Sequence, residues 1–224
     1  MRSHRTNSHF PSDLLHIYHQ ADVKAQSIPD INEKISVYQN VLDFCAKSEK
    51  CINNQTVKTQ QILYWTYLHI GDLFIQKNLD VFEQTNLMQA LQAYQNALEF
   101  ADDNQEQLNV LTKIRDIYHR FDNHNMAVKT SVQMANLVDD ALKIDMFLRL
   151  ADQSVSKEEE VYFLEQALKF VTEEKISTLK QCEHTLEICA RLLKIYEKAG
   201  QKADMTRIYN IQNQAHRIMP TQYI

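Results

Sequence analysis

Apolar and small side chains recur at intervals of three and four along almost the whole chain. The clearest run is Leu87 to Ala101, LMQALQAYQNALEFA, in which Ala90, Tyr94, Ala97 and Leu98 return at helical spacing. Small residues alternating with one aromatic mark a helix that packs closely against two neighbours. The same period predicts a first helix from Ser12 to Gln26, with Ser12 as its N-cap, and a second from Ile31 to Lys47 after the Pro29-Asp30 restart. A polar connection over 48–55 leads to a third helix that ends near Lys77. Asn78 to Asn86 reads as the longest loop, and the Leu87–Ala101 helix follows it. Asp102-Asp103-Asn104 breaks that helix, and Gln105–Phe121 and His124–Asp139 come next. Ala141–Gln153 precedes Lys157–Val171, whose start is announced by Ser156 and Glu159 at capping-box spacing. The last pair is Ser177–Ala199, closed by Gly200, and Lys202–Ile218, ended by Pro220. Ten helices in five antiparallel hairpins are predicted, an all-α chain.

Composition narrows this further. With 2 glycines and 3 prolines in 224 residues, there is too little turn chemistry for a chain of β-hairpins. A charged fraction of 24% and an apolar fraction of 44% suit a folded domain. The net charge of −5 does not point to nucleic acid, and the basic C-terminal region lacks interleaved aromatics for base stacking. No apolar run follows Arg2 and Arg5, so no signal peptide is expected, and no stretch approaches a membrane span. Cys45, Cys51, Cys182 and Cys189 form no CxxC pair and are expected to be reduced thiols of a cytoplasmic protein.

Tyr67, Ile70, Gly71 and Phe74, followed by Ala90, Tyr94 and Ala97, fit the two halves of the tetratricopeptide pattern. A second copy aligns Leu111, Ile114, Arg115 and Tyr118 with Ala127, Ser131 and Met134, with a bulky Arg115 at the small position. A third aligns Leu150 and Ala151 with Leu164, Ala167 and Leu168. The last has Cys189, Leu192, Leu193 and Tyr196, then Gly200 and Tyr209. The chain resembles a divergent tetratricopeptide-repeat (TPR-like) protein, with long hairpins reminiscent of the soluble attachment proteins of membrane fusion. The resemblance implies a right-handed superhelix of about five antiparallel hairpins, a TPR-like solenoid. The polar N-terminus and Pro220 set the expected bounds: a flexible tail over 1–11, one helical-repeat domain over 12–218 and a C-terminal tail over 219–224.

In this family the first helices line a concave face, which defines the candidate site. Carried across, the register sets Asp72, Asp116 and Asp152 in one inward row, with Lys194 in the same place in the last hairpin. Three residues earlier stand His69, Lys113, Arg149 and Arg191. Two readings follow. The rows grip a partner segment, or Lys113–Asp116 and Arg149–Asp152 are i,i+3 surface pairs. Trp65, the single tryptophan, lies in an aromatic run with Tyr64 and Tyr67, and suits either a binding hot spot or the core. The candidate groove comprises Trp65, Leu68, Asp72, Lys113, Asp116, Arg149, Asp152 and Lys194. The family's carboxylate clamp for chaperone tails needs Asn where Asp72 and Asp116 stand, so an acidic chaperone tail is not expected there.

Other chemistry has weaker support. Neither His16 with His19 nor Cys182 with His184 and Cys189 has the spacing of a metal site. No phosphate-cradling loop or nucleophile elbow is present, so neither an enzyme nor a cofactor is expected. Acids without any lysine or arginine fill 78–112, and basic residues predominate after Glu174. That asymmetry leaves open head-to-tail self-association and, as the alternative function, a membrane-associated adaptor using the basic C-terminal helices. The favoured expectation is a non-catalytic adaptor or scaffold for a protein or peptide partner.

Overall fold

A computed structural model describes residues 10–47, 57–80, 83–173 and 178–218. Ten α-helices lie among them: α1 Phe10–Ser27, α2 Ile31–Lys47, α3 Val57–Asp80, α4 Gln84–Phe100, α5 Asn104–Arg120, α6 His124–Asn136, α7 Asp140–Asp152, α8 Lys157–Glu173, α9 Leu179–Ala199 and α10 Lys202–Ile218. No strand occurs among the described residues. The connection expected at 48–55, both chain ends, Ser177 and Pro220 lie outside them. Two compact units are present, the first ending at Thr130 and the second beginning at Ser131.

Helix ends follow local side chains. Asp30 accepts the Glu33 N–H at 2.9 Å before α2. Asp103 accepts the Glu106 N–H at 2.8 Å, and Glu106 reaches back to the Asp102 N–H at 3.0 Å, so the acidic break is also a reciprocal cap for α5. Ser156 caps Glu159 as expected (3.1 Å), while the Glu159 carboxylate returns to Val155 rather than Ser156 (3.2 Å). Thr178 and Gln181 form a complete capping box on α9. Gly200 closes α9 at φ +69°, the left-handed region that costs a glycine little.

Three expected boundaries are corrected. Ser12 is inside α1, which already includes Phe10, and is not its N-cap. The long loop at Asn78–Asn86 shrinks because α3 runs on to Asp80 and α4 starts at Gln84. Asn78 sits in the last turn of α3 and its side-chain oxygen takes the Glu83 N–H at 3.0 Å, so one side chain links the end of α3 to the residue before α4. α6 stops at Asn136, three residues short of the expected end, where the Leu137 N–H folds back onto the Met134 carbonyl.

In the first unit α3 packs against α1, α2 and α4, and α4 also meets α5. Tyr67 stacks on Phe100 with ring centroids 5.9 Å apart, while Gly71 and Asp72 meet Tyr94. Partner numbers fall along α4 as they rise along α3, the mark of an antiparallel hairpin. The opening run behaves as its composition requires: Leu87, Ala90 and Ala97 are fully buried, and the small residues let two neighbours approach. Gly71 allows the closest contact. A Cβ there would stand 2.4 Å from Tyr94 Cε1. Arg115, at the corresponding position in the next copy, is nevertheless buried and turns its guanidinium to Asp116 at 3.2 Å.

In the second unit α7 packs on α8, and α9 on both α8 and α10. Phe147 stacks on Phe163 and Phe170, at 6.5 and 5.7 Å. Leu164, Ala167, Val171, Ile188, Cys189, Leu192 and Ile208 are wholly inaccessible and form the core. Burying a Leu or Ile to that degree contributes about 1.5–3 kcal/mol.

Cys182 and Cys189 are free and buried, but Cys45 is disulfide-bonded. This corrects the expectation of four reduced thiols and removes the cysteine argument for a reducing compartment. No described helix is long and apolar enough to cross a membrane.

Candidate interaction surface

The two charged rows meet each other across helices. Lys113 on α5 donates to Asp72 Oδ1 on α3 at 2.7 Å. In the second unit Arg191 on α9 donates to Asp152 Oδ1 on α7, also at 2.7 Å. In both units the base of one first helix reaches the acid of the first helix before it. The i,i+3 pairs expected for Lys113–Asp116 and Arg149–Asp152 are replaced by these longer links, and Asp116 pairs with its neighbour Arg115.

The Lys113–Asp72 link is built into a larger node. Tyr94 donates its hydroxyl to Asp72 Oδ1 at 2.6 Å, and the Lys113 ammonium lies 5.6 Å from the centre of the Tyr94 ring. One carboxylate thus joins α3, α4 and α5. In the second unit Glu165 accepts from Tyr196 Oη at 2.7 Å and from Arg207, joining α8, α9 and α10. Asp22 accepts from Tyr38 Oη at 2.7 Å in the first hairpin. Burial first, and then the adjacent carboxylate, pushes the Tyr38, Tyr94 and Tyr196 hydroxyls well above the usual phenol range. Tyr18 is pushed up to about 12 by burial and the nearby Asp22 charge. All four keep their protons near neutrality, and Tyr38, Tyr94 and Tyr196 serve as donors.

His69, in the basic row, belongs to an aromatic stack rather than to an ion pair. Its ring lies 5.1 Å from Tyr38 and 6.4 Å from Tyr18, and Nε2 is 3.2 Å from the Tyr18 hydroxyl. Trp65 is 39% exposed and packs edge-on against the buried Tyr64 at 5.1 Å. Tyr64 therefore takes the core place, and Trp65 faces solvent. Leu68 does not: at 4% exposure it belongs to the core, because α3 is covered by three helices and buries more of its circumference than a single-sided helix would. Leu68 is thus removed from the candidate contact residues.

Arg149 and Lys194 are exposed and have no ion pair among the described residues. The sequence reading missed Asp22, Glu165 and the tyrosines that bond them. Buried tyrosines in three of the hairpins were the available signal, but their acidic partners lie 16 to 31 residues away.

The histidines and cysteines of the two sets that lack metal-site spacing have other surroundings. His184 Nε2 is 3.3 Å from Asp145, whereas Cys182 and Cys189 point into the core. Burial pushes the Cys189 thiol up to about 12, which keeps it protonated and poorly nucleophilic. His16 Nε2 pairs with Gln20 at 2.9 Å.

Glu160 supplies a pH prediction. Burial works against its charge, but hydrogen bonds and charges from Lys157 and Arg191 hold its carboxyl below the usual range. A lowered folded value means the stabilisation is complete above the unfolded carboxylate value, about 4.3. It is lost as pH falls through the lower folded value. Glu160→Gln is expected to cost roughly 1–2 kcal/mol at pH 7, in the range of a charge-assisted hydrogen bond, and much less at pH 3. Urea midpoints at both pH values check this; an equal penalty at each would show that the charge contributes nothing.

No family model and no curated protein matches the chain. Among solved structures, it is similar to the kinesin light chain TPR-like repeats of Podosopora anserina, with 14% identity and a TM-score of 0.42, over 96% of this chain and 99% of that one. It is also similar to the de novo designed helical repeat protein DHR64, with 12% identity and a TM-score of 0.27, over 93% and 92%. The chain's own helix pairing defines the class: an all-α protein assembled from helical hairpins.

Proposed function

We propose that the protein is a non-catalytic scaffold that binds a segment of a protein partner over exposed positions of its first helices. Trp65 carries this reading. A tryptophan 39% exposed beside a buried tyrosine is an aromatic anchor held in place before any partner arrives. The second unit, taken by itself, offers Arg149 and Lys194, exposed cations with no ion pair among the described residues. Asp72, Lys113 and Asp152 are engaged within the fold, so they position the surface more than they contact a partner.

The test replaces exposed residues only. Trp65→Ala/Arg149→Glu should keep the wild-type helical content by circular dichroism. Affinity capture from native lysate, read by mass spectrometry, should lose at least one specific partner with this variant. Equal recovery by both proteins would remove Trp65 and Arg149 from the binding surface. Capture of no specific partner by either would overturn the scaffold reading.

A further inference from the structure

The second unit contains a cleft of about 550 Å³ between the first turn of α8 and the last two turns of α9. Lys157, Arg191, Lys194 and Lys198 line it, against one carboxylate, Glu160. Two of these cations are already occupied. Lys157 pairs with Glu160, and Arg191 is divided between Glu160 at 3.1 Å and Asp152 at 2.7 Å. Both Glu160 oxygens are thereby engaged. Lys194 and Lys198 are exposed and form no ion pair among the described residues. They sit one turn apart on one face of α9, so their Cβ atoms are about 5–6 Å apart. Ile195 and Ala199 lie beside them and give the cleft an apolar strip.

We propose that this cleft binds an acidic protein segment, one presenting two carboxylates about 6 Å apart beside an apolar side chain. Two features favour a segment over a bare anion. The positive charge left after internal pairing is split between two lysines, and the space between α8 and α9 exceeds what one phosphate fills. Arg191 serves as scaffold here, since both of its bonded faces are taken by carboxylates from α7 and α8. The site is separate from the Asp72 and Asp116 positions that argue against a chaperone tail. The inference rests on the scaffold reading and specifies the chemistry of one partner segment.

The probe is a fluorescein-labelled Glu-Glu-Leu-Glu-Glu-Leu peptide titrated with the full chain and read by anisotropy. Saturable, salt-sensitive binding is expected. Lys194→Glu/Lys198→Glu should weaken it at least tenfold with helical content and thermal midpoint unchanged, and Lys194→Arg/Lys198→Arg should retain it. A peptide with Gln in place of each Glu should bind at least tenfold more weakly. Equal binding to wild type and the Glu double variant, or no binding to wild type, overturns the proposal. Displacement by equimolar inorganic phosphate also overturns it, because the cleft would then read an isolated anion. The Trp65→Ala/Arg149→Glu variant should bind this peptide like wild type. Wild-type protein that captures partners but does not bind the peptide therefore rejects the cleft alone, whereas equal partner recovery by wild type and this variant, with peptide binding intact, rejects the Trp65 surface alone.

Discussion

Tyr94→Ala is expected to destabilise the first unit by about 3–5 kcal/mol, the range for removing a large buried aromatic side chain. The ring is 2% exposed and fills the space that Gly71 leaves on α3. Its loss also takes a hydroxyl from Asp72 and the aromatic face below Lys113. The companion substitution separates these contributions. Gly71→Ala should gain about 1 kcal/mol from helix propensity alone. Here its Cβ would meet the Tyr94 ring at 2.4 to 2.9 Å, and overpacking of about 1–3 kcal/mol outweighs that gain. In the Tyr94→Ala background the obstruction is gone, and Gly71→Ala should be neutral or stabilising. Urea denaturation of the four proteins gives the coupling. A Gly71→Ala penalty unchanged by the second substitution would mean that the close contact is not what selects glycine.

Leu192→Ala should cost about 2–5 kcal/mol in the second unit. Leu192 has no accessible surface and lies on the α9 face shared with Ile188 and Cys189, where α8 and α10 close over it. Contacts concentrated within hairpins, with fewer between neighbouring ones, predict a local response. Hydrogen exchange should show lost protection in peptides from α8, α9 and α10, with α3 and α4 retaining theirs. Equal loss across the chain would show instead that both units open in one transition.

Much of this fold is legible in the sequence because local chemistry sets the helix ends. Asp30, Ser156 with Glu159, and Gly200 each act within four residues of the boundary they mark. Errors occur where nothing local punctuates the chain. Asn78 looks like a loop residue, yet it lies inside α3 and its side chain reaches Glu83 at the start of α4. Leu137 and Val138 continue the apolar period after α6 has already ended. The site was less legible for the same reason. Recurrence placed Asp72 with Asp152 and Lys113 with Arg191 in rows, but only the lateral distance between helices makes them partners. The fate of Leu68 likewise depends on how many neighbours cover α3, which a single helix's periodicity does not encode.

Gly71 and Arg115 hold equivalent places in successive copies, yet one accepts an aromatic ring where the other tucks in a guanidinium. The hairpins are thus fitted to their individual neighbours and are not interchangeable cassettes. Copying α3–α4 over the next position would set His69 where Lys113 reaches Asp72, and Gly71 with Asp72 where Arg115 and Asp116 pair, removing both links. Lengthening this protein by duplication would require redesigning each new junction, unlike an array built from one consensus unit.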